Sequence, residues 1–149
     1  MDTVQRSRSH AVRARLVTEL PRGIVAGLVG GLAFGAIMLA GGMLPMVAAL
    51  VGSSSAVVGG VVHLAIAAGI GAAFALLVPV GRVPALLAAG LVYGAIWWVL
   101  GPLVIMPAWL GGELFAVDAM AVTSLVGHLV FGLVAAAVLA GLRRRPARA

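Results

Sequence analysis

Four long apolar runs constrain this chain more than any other feature. They lie at about 23–47, 55–79, 84–107 and 118–141. A helix needs about 20 apolar residues to cross the hydrocarbon layer of a bilayer, and each run is long enough. Only 9% of the 149 residues are charged, against roughly a quarter in a soluble domain. That is too little polar surface to cover a water-soluble globule, so lipid is the solvent. The 21 glycines, spread through the apolar runs, suit transmembrane helices and would weaken soluble ones. The sequence predicts an all-α integral membrane protein with four transmembrane helices.

The charges predict its orientation. All ten basic residues are arginine. Arg6, Arg8, Arg13, Arg15 and Arg22 precede or open the first span. Arg82 sits in the second loop, and Arg143, Arg144, Arg145 and Arg148 follow the fourth span. The first and third loops hold no arginine, and the third carries Glu113 and Asp118. The positive-inside rule makes the arginine side cytoplasmic and puts both termini there. Because every arginine flanks a span, the net charge of +6 is read as a topology signal and nucleic acid is excluded as a partner. The apolar run is too long and too far from the start for a cleavable signal. Residues 1–22 are read as a basic cytoplasmic arm, disordered and setting orientation, with an interfacial helix on anionic lipid as the alternative. The first hairpin is 23–79, the cytoplasmic loop 80–83, the second hairpin 84–141 and the Arg-rich tail 142–149. The protein is expected in the plasma (inner) membrane.

The chain writes one phrase twice: GLAFGAI at 31–37 and GLVYGAI at 90–96. Aligning 24–52 with 83–111 at an offset of 59 gives eleven identities in 29 positions. The second helices of the hairpins align at an offset of 65, which sets Gly59 against Ser124 and His63 against His128. This pattern predicts two tandem parallel helical-hairpin repeats, related by a pseudo-two-fold axis along the membrane normal.

Helices in lipid associate by close packing at small residues. The first span carries the ladder Gly23, Gly27, Gly31, Gly35, and the third keeps Gly90 and Gly94. In the second and fourth spans the ridges Gly59, His63, Ala67, Gly71 and Ser124, His128, Gly132, Ala136 follow the same four-residue rhythm. Residues four apart share a helix face, so both histidines are expected in helix–helix contacts, with Gly71 and Gly132 among the packing positions.

His63 and His128 are expected about 12 and 15 Å below the outer ends of their spans, near the middle of the layer. An ionisable residue there is a candidate functional site. The leading reading is structural: each neutral imidazole hydrogen-bonds a neighbour, with the hydroxyl of Tyr93 as a partner at the same level. A second reading is bis-histidine ligation of haem b across the pseudo-symmetry axis. Zinc lacks a ligand set. Met38, Met43, Met46, Met106 and Met120 offer thioethers to copper, but their irregular spacing favours packing.

A third reading is transport by a small oligomer. The first helix of each half is interrupted towards its outer end, at Gly41-Gly42-Met43-Leu44-Pro45 and from Gly101-Pro102 to Met106-Pro107. Such paired interruptions point to binding sites. Trp109 is an interfacial anchor, whereas Trp97 and Trp98 point to different faces. Enzyme chemistry has little support. The chain has no cysteine and no phosphate-binding or dinucleotide motif. Asp118 reads as a helix cap, and Ser124 with His128 reads as an i, i+4 hydrogen-bonding pair. The expected role is therefore a non-enzymatic accessory or interaction bundle, forming a homo-oligomer or joining a larger membrane complex.

Overall fold

The computed structural model describes residues 2–79 and 81–144. Among the described residues the regular structure is entirely helical. Four segments are long and apolar enough to cross a membrane: Arg8–Ala40, Ala56–Leu77, Val83–Leu110 and Ala119–Arg144. Of the tail at 142–149, the part to Arg144 closes the last helix. Arg145 and Arg148 lie outside the described residues.

Helix α1 (Asp2–Ala40) takes in most of the basic arm as well as the first span. The expected disordered arm is instead helical and continuous with the span through Pro21. At 1.5 Å per residue α1 is about 58 Å long, roughly twice the hydrocarbon thickness. It stops sooner than the apolar run does. Gly42 takes a left-handed φ of 65°, and Met43 N–H donates to Met38 O at 2.9 Å, the long bond of a Schellman stop. The chain re-forms a helix as α2 (Leu44–Ala49).

Helix α3 (Ala56–Leu77) starts at Ser55, whose Oγ accepts from Val58 N at 3.5 Å. Helix α4 (Val83–Leu100) has Pro84 in its first turn, where a missing N–H costs nothing. A π-helical segment (Gly101–Ile105) follows, then α5 (Met106–Leu110). Pro107 cannot donate to Leu103 O, its normal helical acceptor. The Phe115 N–H donates to that carbonyl instead, at 2.9 Å, so the loop after α5 folds back on the π-helical segment. Helix α6 (Ala119–Arg144) is capped by Asp118, whose Oδ1 accepts from Ala121 N at 2.7 Å.

The bundle is ordered α3–α1–α6–α4, with α1 and α6 as the inner pair. Glycine makes the closest approaches. A Cβ on Gly27 would meet the backbone of Ala67 and Gly71, and one on Gly23 the backbone of Gly71 and Ala72. In the α4–α6 pair, a Cβ on Gly90 would meet Gly132 O, one on Gly132 would meet Gly90 O, and one on Gly94 would meet His128 O. Gly31 faces the Ala67 side chain and Gly35 the His63 ring.

The end of the bundle that carries the arginines is fastened by charge. Glu19, 7% exposed, takes Arg143 Nε at 2.8 Å and Arg22 Nη1 at 3.0 Å. Arg143 also donates from Nη2 to Ala75 O at 2.8 Å and Val78 O at 3.0 Å. Arg15 donates to Leu76 O at 2.8 Å. A helix C-terminus leaves its last carbonyls without helical partners. Two arginines from two other helices serve those of α3, and Glu19 balances the more buried of them. In the sequence Glu19 falls within the arm at 1–22 and has no apparent partner there.

A cavity that gathers the histidines and methionines

Helices α3 and α4 are neighbours in sequence, yet their backbones scarcely meet. Towards the arginine end the gap is filled by rings. Tyr93 lies 5.0 Å from Phe74 and 6.2 Å from Trp97 between centroids, and its hydroxyl donates to Ile70 O at 2.9 Å. Towards the opposite end the described side chains leave a cavity of about 520 Å³. Two helix breaks shape it. The stop at Gly42 lets α2 pack on α3, where a Cβ on Gly59 would overlap Leu44 O. The π-helical segment, in contrast, barely touches α6, and space is left between them.

Both histidines line this cavity. His63 Nε2 lies 2.9 Å from Gly31 O. A carbonyl only accepts, so that nitrogen carries the proton and the neutral ring keeps its lone pair on Nδ1. His128 has the opposite arrangement. Its Nδ1 lies 2.8 Å from Ser124 O, so Nδ1 is protonated and Nε2 holds the lone pair. That Nε2 is turned towards Gly101 at the start of the π-helical segment, where a glycine Cβ would stand 3.9 Å from it.

The structure corrects two sequence expectations here. Tyr93 is not a partner of either histidine, because its hydroxyl is committed to Ile70 O nearly two turns beyond His63 along α3. Nor do the imidazoles face one another across an open gap. Phe34, on α1 between them, packs edge-on against His63 at 5.2 Å and tilted against His128 at 4.7 Å. Its ring is seated so closely on α6 that a Cβ on Gly127 would overlap it. Bis-histidine haem ligation needs one iron to reach both rings. Here Phe34 packs against both rings, and the Nε2 of His63 donates to Gly31 O. A nucleophile–base pair fails for a related reason. Ser124 Oγ is 3.3 Å from His128 Nδ1, but that nitrogen already holds a proton and cannot take one from serine.

The methionines, read from sequence as packing residues, pack and also border the cavity. Met38, Met43, Met46, Met106 and Met120 all line the cavity. Met38 and Met43 are buried in a cluster with Phe34, Leu44 and Val47, and Met106 packs against it. Their irregular spacing in sequence hid this, because they come from α1, the turn after it, α2, α5 and α6. The cavity wall also includes Glu113 and Asp118, the two carboxylates of the α5–α6 loop. Trp98 takes no part in this lining and instead donates to Ala121 O at 2.8 Å. Among the described residues no three His, Cys, Asp or Glu side chains come together as a metal site. Compared with family models, curated proteins and solved structures, the chain matches none.

Proposed function

We propose that this chain is a non-enzymatic binding bundle of the inner membrane, with both termini in the cytoplasm, and that it takes a small cationic ligand into the cavity between α3 and α4 from the outer side. The observation that carries the reading is the cavity itself. It combines apolar walls, a few polar groups and a mouth with two carboxylates, the usual make-up of a small-molecule site. The carboxylates favour cations at the mouth. The orientation rests on the ten arginines.

Duplication of a hairpin is supported by matched contacts. Gly31 meets Ala67 as Gly90 meets Gly132, and Gly35 meets His63 as Gly94 meets His128, at the same offsets that align the sequence. The transport reading keeps one specific support: both helix interruptions border the cavity. On the arginine side of the histidines, however, a second packed cluster around Phe74, Leu86, Ala135 and Leu139 fills the bundle. The binding reading is therefore preferred. A homo-oligomer or a larger membrane complex remains the proposed setting.

The test uses the absence of cysteine. Ser124→Cys is nearly isosteric and lies in the cavity wall; Val126→Cys is 53% exposed on the outside of α6. In intact cells, a small water-soluble thiol reagent should modify the Ser124 variant and not the Val126 variant. A cationic reagent should react about 10-fold faster than an anionic one of the same size. If Ser124→Cys is as inert as Val126→Cys, the cavity is not open to water and the binding reading falls.

A further inference from the structure

We propose that the cavity binds a soft monovalent metal ion, Cu(I) or Ag(I), through the thioether sulfurs of Met38, Met43 and Met106 and the Nε2 of His128. The proposal rests on the reading of the cavity as an accessible site, and it names the class of cation.

The donor set leads to this class by elimination. Thioethers bind soft metals and compete poorly for hard or borderline ones, whereas carboxylates and carbonyls suit magnesium, calcium and manganese. Five methionines and two imidazoles line one cavity, its two carboxylates, Glu113 and Asp118, are exposed rather than buried with them, and the chain has no thiol. Zinc would want four donors with several anionic or imidazole ligands, and the described residues offer no such group. A monovalent d10 ion is satisfied by two to four neutral donors. Neutral donors also suit the depth of the site, since the bound charge is then a single positive one and no buried anion must be ionised beforehand.

The arrangement of the groups agrees with this chemistry. Met38 and Met43 are each 5% exposed, yet both border the cavity. Methionine has three rotatable bonds and a polarisable sulfur, so these side chains can turn a sulfur inward without moving the backbone. Ser124 O fixes the tautomer of His128 and leaves the lone pair on Nε2, in the way a carbonyl behind a ligating imidazole commonly does. Met46 and Met120 are 38% and 41% exposed. With Glu113 and Asp118 they form an outer tier that would attract and pass on a cation.

The experiment uses the full-length protein purified in detergent without oxygen, with Cu(I) supplied from a coloured chelator that reports its loss. One equivalent should be withdrawn, and copper-edge absorption should show a first shell dominated by sulfur. Met38→Leu, Met43→Leu and Met106→Leu conserve volume. Combined, they should weaken binding by more than ~100-fold, since even outer-shell changes cost 10–100-fold. Met106→Leu alone lies at the cavity edge and should weaken binding measurably with the melting temperature unchanged, which guards against misfolding of the triple variant. His10→Ala, in the exposed part of α1, should leave binding intact. The proposal is overturned if no Cu(I) is withdrawn, if the triple variant binds like the parent, or if His10→Ala abolishes binding. It is equally overturned if a lipophilic organic cation raises the melting temperature of the cysteine-free parent while Cu(I) and Ag(I) do not. In these last cases labelling of Ser124→Cys would still report an open cavity, so failure of the metal assignment is distinguishable from failure of the binding reading.

Discussion

At the scale of single residues, two side chains organise the molecule, Glu19 at the arginine end and Phe34 at the level of the histidines, and neither stands out in the sequence. Glu19 holds Arg143 and Arg22, and Arg143 in turn holds two carbonyls of α3. Removing one partner of a buried pair leaves an uncompensated charge, which costs on the order of 3 kcal/mol. Glu19→Ala should therefore lower the melting temperature in detergent, and Glu19→Ala combined with Arg143→Met should lose less than the sum of the two single variants, the remaining loss being the bonds of Arg143 to Ala75 O and Val78 O. Additive losses in the double variant would show that the two residues do not act as a pair. Phe34 is the other case. Within the phrase GLAFGAI it is the one ring among small and aliphatic residues, and it touches both histidines. The sequence does place Phe34 opposite Tyr93 in the repeat. It does not reveal that one ring would separate two imidazoles while the other would close the seam beside Phe74, because that depends on which helices become neighbours.

At the scale of helices, glycine positions decide the packing, and these were legible. The four-residue ladders on α1 and α3 are the surfaces that meet, since close approach of two backbones requires small residues at this spacing. Gly71→Ala tests this directly. Its new Cβ would meet Gly23 O at 2.5 Å and the backbone of Gly27, atoms that cannot swing aside. The expected loss is about 1–3 kcal/mol, the usual cost of overpacking. Gly60→Ala, one turn from the start of α3 with no atom within 4 Å of the new carbon, should be neutral or stabilising by up to about 1 kcal/mol. Thermal unfolding of both variants in the same detergent makes the comparison, and equal behaviour would count against the packing account. Helix ends were less legible. Hydropathy carries the first run to residue 47, and only the interruption at Gly41 to Pro45 marks the place where α1 ends, at Ala40. The reason is conformational: Gly42 accepts a left-handed φ, and the stop follows from that rather than from hydropathy.

At the scale of the whole molecule, the number of membrane-length helices follows from hydropathy and run length alone. The neighbour order α3–α1–α6–α4 does not. Every run is apolar on all sides, so no polar face marks what points inward. The proposed orientation makes a prediction of its own. Gly112→Cys should react with an impermeant maleimide only from outside, and Gly81→Cys only from the cytoplasmic side of inverted vesicles. The opposite pattern would reverse the topology and place the cavity mouth in the cytoplasm. The neighbour order also has a mechanical consequence. The short connection between α3 and α4 ties these helices together at the arginine end, while a hydrogen bond across their seam, Tyr93 to Ile70, lies partway along it. Beyond that bond each of the two helices is held by its inner partner, α3 by α1 and α4 by α6, so a load on the cavity wall is carried by the glycine contacts of those two pairs.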